Sequence, residues 1–330
     1  MNIRKLLWDT ARSEQKHAMP ILSFPAAQKL GVSVGELVKS ADLQAQAMAL
    51  IARETPTLAG ISFMDLSVEA EAFGAQVRFT DSEVPVVIGQ LVSDEDEANE
   101  LEVPDLTAGR ALLYVDAVRK AKALITDKPL LAGMIGPYSL AGRLCDVTEV
   151  MYLCYDEPDA VHTVLDKAAQ YLIRYGQAMK EAGADGIMMA EPLAGILSPD
   201  MAAEFSVPYV KRIIEALQDD DFAVLYHNCG NAVPAMLEAI YEQGAAAYHF
   251  GNAVDMAQIM ARTPVDLLVM GNIDPAGQFT NGTAESITAA TRELMEKCGH
   301  YANFVPSSGC DIPAHAKWDN INAFFKAIEG

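Results

Sequence analysis

Three side chains of the 330-residue sequence have the types and spacing of a zinc site: His227, Cys229 and Cys310. One residue separates His227 from Cys229, so in an extended segment both side chains point to the same side and can reach one ion. An imidazole and two thiolates form a soft tetrahedral donor set that suits Zn²⁺. Three protein ligands leave a fourth position open, which is typical of a catalytic zinc. The alternative is that an H-x-C pair is ordinary packing, because cysteine often behaves as a small buried hydrophobe.

The other three cysteines carry no such pattern. Cys145 and Cys154 flank an amphipathic stretch, and Cys298 stands at a predicted helix end beside Gly299. Five cysteines in a chain of this length do not form a disulfide framework. We expect these three residues to be packing residues only.

A cluster of ligands so far apart in sequence requires elements that bring them together. Short apolar runs alternate with longer amphipathic stretches, which is the pattern of βα units and a parallel sheet. Eight runs indicate an α/β fold of the (β/α)8 TIM-barrel class, a single domain over residues 1–330. The predicted strands are 20–24, 58–64, 130–135, 185–190, 222–226, 245–250, 266–270 and 301–305, and helices are predicted at 233–243 and 255–262. Residues 66–129 are predicted to be an acidic insertion, an extra loop with short helices.

In a TIM barrel the catalytic residues lie at the carboxyl ends of the strands. Polar residues follow every predicted strand from the second onward, and the ends of strands five and eight face one opening. This set comprises Asp65, Tyr138, Glu191, His227, Cys229, Asn252, Asn272, Asp274 and Cys310. The sequence therefore predicts that His227, Cys229 and Cys310 meet at one end of the barrel.

Four strings resemble the uroporphyrinogen decarboxylase superfamily: G-P-Y-S-L-A at 136–141, H-N-C-G-N at 227–231, G-N-I-D-P at 271–275 and S-G-C-D-I-P at 308–313. The segment 65–75 also matches a superfamily pattern. The H-x-C pair with the late G-C is most similar to the methylcobamide:coenzyme M methyltransferase branch. The resemblance implies a TIM-barrel enzyme whose Zn²⁺, held at positions 227, 229 and 310, binds a small thiol as thiolate. The thiolate takes a methyl group from a methylated corrinoid, free or carried by a small corrinoid protein.

Two alternatives remain open at this stage. Decarboxylases of the superfamily carry an arginine-rich R-Q-A-G-R segment, and residues 19–25 here contain no arginine. Asp65 nevertheless matches the acidic position that decarboxylases use, and Arg143 could contribute to a small basic pocket. A barrel that binds a corrinoid or another small ligand without turnover is the non-enzymatic alternative. The methyl acceptor and the direction of transfer are also open.

Further roles are predicted around the metal. We expect Tyr138, Asn252, Asn272 and Asp274 to line the opening that faces the corrinoid, the alternative being that Asn272 and Asp274 cap the next helix. Glu191 is predicted to be a catalytic carboxylate, together with Asp65, and a fourth zinc ligand that accepts the proton of the thiol. The alternative for Glu191 is pairing with an arginine or capping of a helix that starts near Ser198 and Pro199.

Charge and composition exclude several classes of function. The net charge of −21 disfavours binding to nucleic acid or to an anionic membrane surface. No apolar run approaches the roughly 20 residues that a membrane span requires. The first 20 residues lack the pattern of a signal peptide, so we expect a cytoplasmic protein.

Overall fold

The computed structural model of the chain describes residues 2–329. Its main element is a curled parallel sheet of seven strands in the order β1-β4-β5-β6-β7-β8-β9. These strands are β1 Gly60–Ile61, β4 Leu130–Ile135, β5 Gly186–Ala190, β6 Ala223–Asn228, β7 Ala247–Phe250, β8 Val269–Ile273 and β9 Phe304–Ser308. The predicted α/β class with a parallel sheet is confirmed.

Helices connect the strands and cover the outer face of the sheet. Those of the first half are α1 Ile3–Arg12, α2 Ala26–Leu30, α3 Val34–Leu37, α4 Ala41–Glu54, α5 Val68–Ala72, α6 Glu95–Glu100, α7 Ala111–Leu124, α8 Pro137–Cys145, α9 Val147–Asp156 and α10 Pro158–Glu181. Those of the second half are α11 Pro199–Phe205, α12 Val207–Leu217, α13 Leu237–Tyr241, α14 Met256–Arg262, α15 Ala284–Cys298 and α16 Trp318–Glu329. None of the helices within residues 2–329 is both long and apolar enough to cross a membrane.

The sheet separates two hydrophobic cores. Successive strand residues point to opposite faces, and accordingly Leu131 and Met188 belong to the inner core whereas Met189 belongs to the outer one. The inner core also includes Ile3 and Leu7 of α1, together with Ala59 and Ala246, which precede β1 and β7. Helix α1 therefore packs at the amino ends of the strands, and the carboxyl ends remain available for a site.

The predicted first strand, residues 20–24, is wrong. This segment forms no strand, although it lies between β9 and β1: the Met19 N–H donates to the Pro306 carbonyl (3.1 Å), and the Leu58 N–H donates to the Ala18 carbonyl (3.0 Å). Pro20 and Pro306 have no N–H, so each removes a donor from the ladder that a regular strand would need.

Other strand limits also differ from the prediction. Strand β4 matches residues 130–135, whereas β8 and β9 run three residues beyond the predicted ends at 270 and 305, and β1 has two residues instead of seven. Polar residues continue the late strands, with Asn272 in register with Ser307. A hydrophobicity pattern ends a strand too early where buried polar side chains prolong it, and for the same reason His227 lies within β6.

Residues 66–129 contain more regular structure than a loop with short helices. An antiparallel hairpin, β2 Gln76–Arg78 with β3 Val86–Ile88, follows α5. The acidic run forms α6, which begins where the Asp94 carboxylate accepts a hydrogen bond from the Glu97 N–H. The 14-residue α7 then packs on α4 and leads into β4.

Candidate metal centre

The structure brings His227, Cys229 and Cys310 together at the carboxyl end of the sheet. His227 is in β6, Cys229 directly follows it, and Cys310 comes two residues after β9. The imidazole nitrogen and the two sulfur atoms all lie within 4.8 Å of one another. Within residues 2–329 this is the one group of three or more His, Cys, Asp or Glu side chains that could hold a metal ion.

The geometry of this cluster fits zinc. Bond lengths of 2.0–2.3 Å at a tetrahedral angle place a nitrogen and a sulfur ligand about 3.6 Å apart, and His227 Nε2 lies 3.4 Å from Cys310 Sγ. The Cys310 thiol stabilises the thiolate of Cys229 by a hydrogen bond, so the pKa of Cys229 is held well below its usual range. The cluster thus offers soft donors at the spacing that a Zn²⁺ ion needs.

Glycines allow the loops that carry these ligands to pack closely. A side chain on Gly251 would place its Cβ 2.5 Å from the Cα of Cys229, and one on Gly230 would lie 2.2 Å from the carbonyl oxygen of Gly195. The Asn228 side-chain oxygen accepts a hydrogen bond from the Gly230 N–H (2.9 Å). The position of Cys229 therefore depends on backbone contacts with the loops that follow β5 and β7.

The cluster opens into a cavity of about 310 Å³. Its wall is mainly apolar, and the unpredicted β2–β3 hairpin covers one side of it. The lining residues are Ile21, Met64, Leu66, Ser67, Val84, Pro85, Val86, Val87, Arg143, Ala190, Pro192, His227, Cys229, Cys310 and Asp311. A small molecule in this cavity would contact the metal ligands while being shielded from water.

Two ionisable side chains in the wall of the cavity, those of Arg143 and Asp311, have unusual surroundings. In the part of the chain that the structure describes, no carboxylate lies within ion-pair distance of Arg143, and burial lowers the pKa of its guanidinium. The Asp311 Oδ1 atom is buried without a hydrogen-bond partner, and burial raises the pKa of this carboxyl well above its usual value. No sequence pattern predicts that Asp311 faces the cavity.

Glu191 is fully buried and caps a helix. One carboxylate oxygen accepts hydrogen bonds from the Tyr138 N–H (3.0 Å) and the Ser206 hydroxyl (3.3 Å), and the other accepts from the Ser139 N–H (2.6 Å). The helix that Glu191 caps is α8. It is not α11, the helix near Ser198, because the side chain of Ser198 itself caps α11. Glu191 is not part of the metal cluster, and burial raises its pKa to about 7.

The four residues expected to face the corrinoid do not line this cavity. Tyr138 is buried, with its hydroxyl near the sulfur atoms of Met151 and Cys154. Asn252, Asn272 and Asp274 line a second cavity at the same end of the sheet. Asp274 caps the turn that follows by accepting from the Ala276 and Gly277 N–H groups, as the alternative interpretation predicted. Asn272 donates to the carbonyls of Gly251 and Val254.

Asp65 is held in a buried network and does not itself line the cavity. Its carboxylate forms an ion pair with Arg110 and accepts hydrogen bonds from the Tyr114 hydroxyl (2.7 Å) and the Ser67 hydroxyl (2.6 Å). All of its strong acceptor positions are therefore engaged by the protein itself.

The remaining cysteines are buried and do not belong to the metal cluster, as expected. Burial raises the pKa of Cys145 to about 12 and that of Cys298 to about 11, and it also raises the pKa of Cys154. Thiols of this kind stay protonated and unreactive.

Sequence reasoning missed His249, the neighbour of the predicted ligand His227. The two residues are in register on β6 and β7, and their Nδ1 atoms are 2.8 Å apart. The sequence offered no signal for His249, because a histidine inside A-Y-H-F has the pattern of a buried strand.

Comparison with known proteins places the chain among related enzymes. Residues 15–330 match the family model described as uroporphyrinogen decarboxylase (URO-D). The methylcobamide:CoM methyltransferase MtbA of Methanosarcina mazei is 27% identical over 309 residues, which cover 89% of this chain and 88% of MtbA. The uroporphyrinogen decarboxylase of Hydrogenovibrio crunogenus is 26% identical over 322 residues, with coverage of 92% and 88%.

A solved methyltransferase from Methanosarcina mazei has the same fold. It superposes with a TM-score of 0.87 at 22% identity and covers 100% of this chain and 98% of its own. A putative vitamin-B12-independent methionine synthase from Listeria monocytogenes is more distant, with a TM-score of 0.59 at 13% identity over 97% and 98% of the two chains. Together with the match over residues 15–330, these findings show that the chain belongs to the uroporphyrinogen decarboxylase family.

Proposed function

We propose that this chain is a zinc-dependent methyltransferase that moves a methyl group between a methylated corrinoid and a small thiol such as coenzyme M. The corrinoid is either free or carried by a small corrinoid protein. The observation that carries the proposal is the His227, Cys229 and Cys310 cluster, whose donor atoms lie within 4.8 Å at the wall of an apolar cavity. The MtbA relatives are methyltransferases by name.

The residues of the site fit the chemistry of thiol alkylation. A bound Zn²⁺ would lower the pKa of a substrate thiol and keep it as a thiolate at neutral pH. In the transfer, the thiolate sulfur supplies the electron pair of the new S–CH₃ bond, and cobalt retains the pair of the broken Co–C bond. The two cysteine thiolates keep negative charge beside the attacking sulfur, and the walls around Met64, Val87 and Pro192 exclude water.

The size of the cavity favours a small acceptor. At about 310 Å³ it lies at the lower end of the range for ligand sites, about 300–1,000 Å³. Arg143 gives this cavity one positive charge, which suits a thiol with a single acidic group.

Decarboxylation of a porphyrinogen is the second candidate, because decarboxylases are relatives at similar identity. Asp65, which occupies the acidic position of that branch, does not line the cavity and is bound by Arg110, Tyr114 and Ser67. Among the described residues that line the cavity, Arg143 is the one arginine or lysine, whereas a substrate with many carboxylates needs several cations. These observations support the methyltransferase over the decarboxylase.

The metal content of the purified protein tests the zinc site. We expect about one Zn²⁺ per chain, and a sharp loss in His227→Ala, Cys229→Ala and Cys310→Ala, since two remaining ligands form a weak site. Cys298→Ala, which removes a buried thiol away from the cluster, is the matched control and should keep its zinc. Full zinc retention in all three ligand variants would contradict the proposal.

The activity is tested with methylcobalamin and a panel of thiols, followed by the visible spectrum of the corrinoid. We expect thiol-dependent demethylation that Cys310→Ala abolishes and Cys298→Ala retains. Formation of coproporphyrinogen from uroporphyrinogen would reverse the ranking of the two enzymatic candidates. Zinc binding without either reaction would favour a barrel that binds its ligand without turnover.

A further inference from the structure

A chain of three hydrogen bonds begins on the side of the His227 ring that faces away from Cys310. His227 Nδ1 lies 2.8 Å from His249 Nδ1, and His249 Nε2 lies 2.7 Å from the Ser307 hydroxyl. The Ser307 hydroxyl donates to the Met19 carbonyl at 2.8 Å. His249 and Ser307 are fully buried, and His227 is nearly so.

The carbonyl end of this chain fixes the position of every proton. A carbonyl oxygen only accepts, so the single proton of Ser307 points to Met19, and the Ser307 oxygen must accept from His249 Nε2. A neutral His249 with a proton on Nε2 has a bare Nδ1, which accepts from His227 Nδ1. His227 then carries its proton on Nδ1 and a lone pair on Nε2, the nitrogen that faces Cys310 Sγ at 3.4 Å.

We propose that His249 is a positioning residue that holds His227 in the Nδ1-protonated tautomer, with Ser307 and the Met19 carbonyl fixing the direction of the hydrogen bonds. The lone pair of His227 Nε2 is thereby aimed at the metal position before any ion binds. The inference rests on the proposed function, because it assigns a role toward the zinc of that site.

The choice of a histidine for this role has an electrostatic consequence. A ligand histidine commonly donates its second N–H to a carboxylate or a carbonyl. A carboxylate here would add negative charge beside a site that already has two cysteine thiolates. Neutral His249 accepts the same proton without that charge, and its ring is fully buried, where a charged imidazolium would be costly.

The rings also restrict each other sterically. The His227 and His249 rings meet edge to face, with centroids 4.7 Å apart and an interplanar angle of 72°. The ring of His227 cannot turn over without breaking its bond to His249. His249 therefore sets both the orientation and the tautomer of the His227 ring.

Three variants separate this role from general packing. His249→Phe keeps a ring but removes the acceptor, and Ser307→Ala removes a single oxygen from the end of the hydrogen-bond chain. Ser308→Ala is the matched control, because Ser308 is an equally buried serine of β9 whose hydroxyl accepts from the Ile21 N–H (3.0 Å) and takes no part in the hydrogen-bond chain, and the substitution leaves the Ser308 backbone in place.

Two measurements apply to all variants. The first is the dissociation constant of Zn²⁺, from competition with a chromophoric chelator; loss of such a partner weakens metal binding by about 10 to 100-fold. The second is the tautomer of His227 in metal-free protein labelled with ¹⁵N-histidine, from long-range ¹H–¹⁵N spectra. The chain has six histidines, and the signal is assigned by its absence in His227→Gln.

We expect weaker zinc binding and loss of the pure Nδ1-protonated form in His249→Phe, a smaller change in Ser307→Ala, and neither change in Ser308→Ala. Wild-type affinity and tautomer in both of the first two variants would overturn the inference, as would an equal loss in Ser308→Ala. If the wild-type protein binds no zinc, the proposed metal site fails, and the metal-free spectra still decide the role of His249 on their own.

Discussion

Arg143 is the residue through which the cavity could select its thiol. Its guanidinium lines the same wall as the metal ligands and has no ion-pair partner among the described residues. A buried charge without a partner is costly, so a ligand that brings the opposite charge gains binding free energy there. A thiol that carries an acidic group would satisfy both the metal and Arg143, which line the same cavity.

We therefore expect Arg143→Met to weaken the enzyme's affinity for an anionic thiol and not for a neutral one. A hydrogen bond to a charged group contributes about 1.5–3 kcal/mol, so the KM for 3-mercaptopropionate should rise about 10 to 100-fold. The KM for 2-mercaptoethanol, measured in the same methylcobalamin assay, is the internal control. Equal changes for the two thiols would mean that Arg143 does not contact the acidic group.

The sequence predicts the meeting of the three candidate ligands better than it predicts their surroundings. His227, Cys229 and Cys310 could be found because one-residue spacing and two strand ends imply a shared position. His249 and Asp311 could not, since a histidine inside A-Y-H-F reads as part of a buried strand and an aspartate after Cys310 reads as a loop residue. Their roles depend on which side chains face them across the sheet.

At the scale of elements, the position of α8 depends on a carboxylate from a neighbouring loop. Glu191 follows β5 and accepts hydrogen bonds from the first N–H groups of α8, those of Tyr138 and Ser139. Such groups have no partner within the helix, so an external acceptor stabilises the helix start. A role of Glu191 as fourth zinc ligand would require it to leave these amides, and it stays a prediction.

Glu191→Gln distinguishes the two roles. If Glu191 acts as a cap, the variant loses one acceptor and about 1–2 kcal/mol of unfolding free energy, with unchanged zinc affinity. Ser198→Ala, which removes the cap of α11, is the comparison and should lower the same quantity by a similar amount. Urea unfolding and chelator competition measure the two effects. Altered zinc affinity, proton release on thiol binding or transfer rate in Glu191→Gln would instead support the ligand role.

The strands were predictable where apolar residues alone form them. β4 and β5 are continuous buried apolar runs, because a parallel sheet is covered on both faces, and their limits match the sequence prediction within one residue. The segment at 20–24 is also mainly apolar, but Pro20 within it and Pro306 in β9 lack the N–H groups that a regular ladder between the two segments would need. There the Ser307 and Ser308 hydroxyls bind the Met19 carbonyl and the Ile21 N–H in place of backbone groups.

The packing of α1 and the candidate metal site lie at opposite ends of the sheet. Helix α1 contributes to the inner core near the amino ends of the strands, whereas the metal cluster and both cavities around it lie at the carboxyl ends. The carboxylate of Glu69, in α5, is buried near Asp65. Its Oε1 accepts from the Ile135 N–H (3.0 Å), and its Oε2 has no hydrogen-bond partner.

Glu69 should make global stability depend on pH. Burial raises its pKa from 4.5 to about 7, so between these values the folded chain holds a proton that the unfolded chain has released. The folded state thus binds more protons, and the contribution of Glu69 to stability is full below about pH 4.5 and is lost as the pH rises to about 7. A shift of this size corresponds to on the order of 3 kcal/mol.

The difference between Glu69→Gln and the wild-type protein isolates this contribution. His249 and Cys229, whose pKa values are lowered, act with the opposite sign, but they contribute equally to both proteins and cancel. Urea unfolding at several pH values should show the stability of Glu69→Gln rising relative to wild type between about pH 4.5 and 7, then staying constant. Glu296→Gln, at an exposed position of α15, should show no such trend. A constant difference for Glu69→Gln across this range would mean that folding does not change the pKa of Glu69.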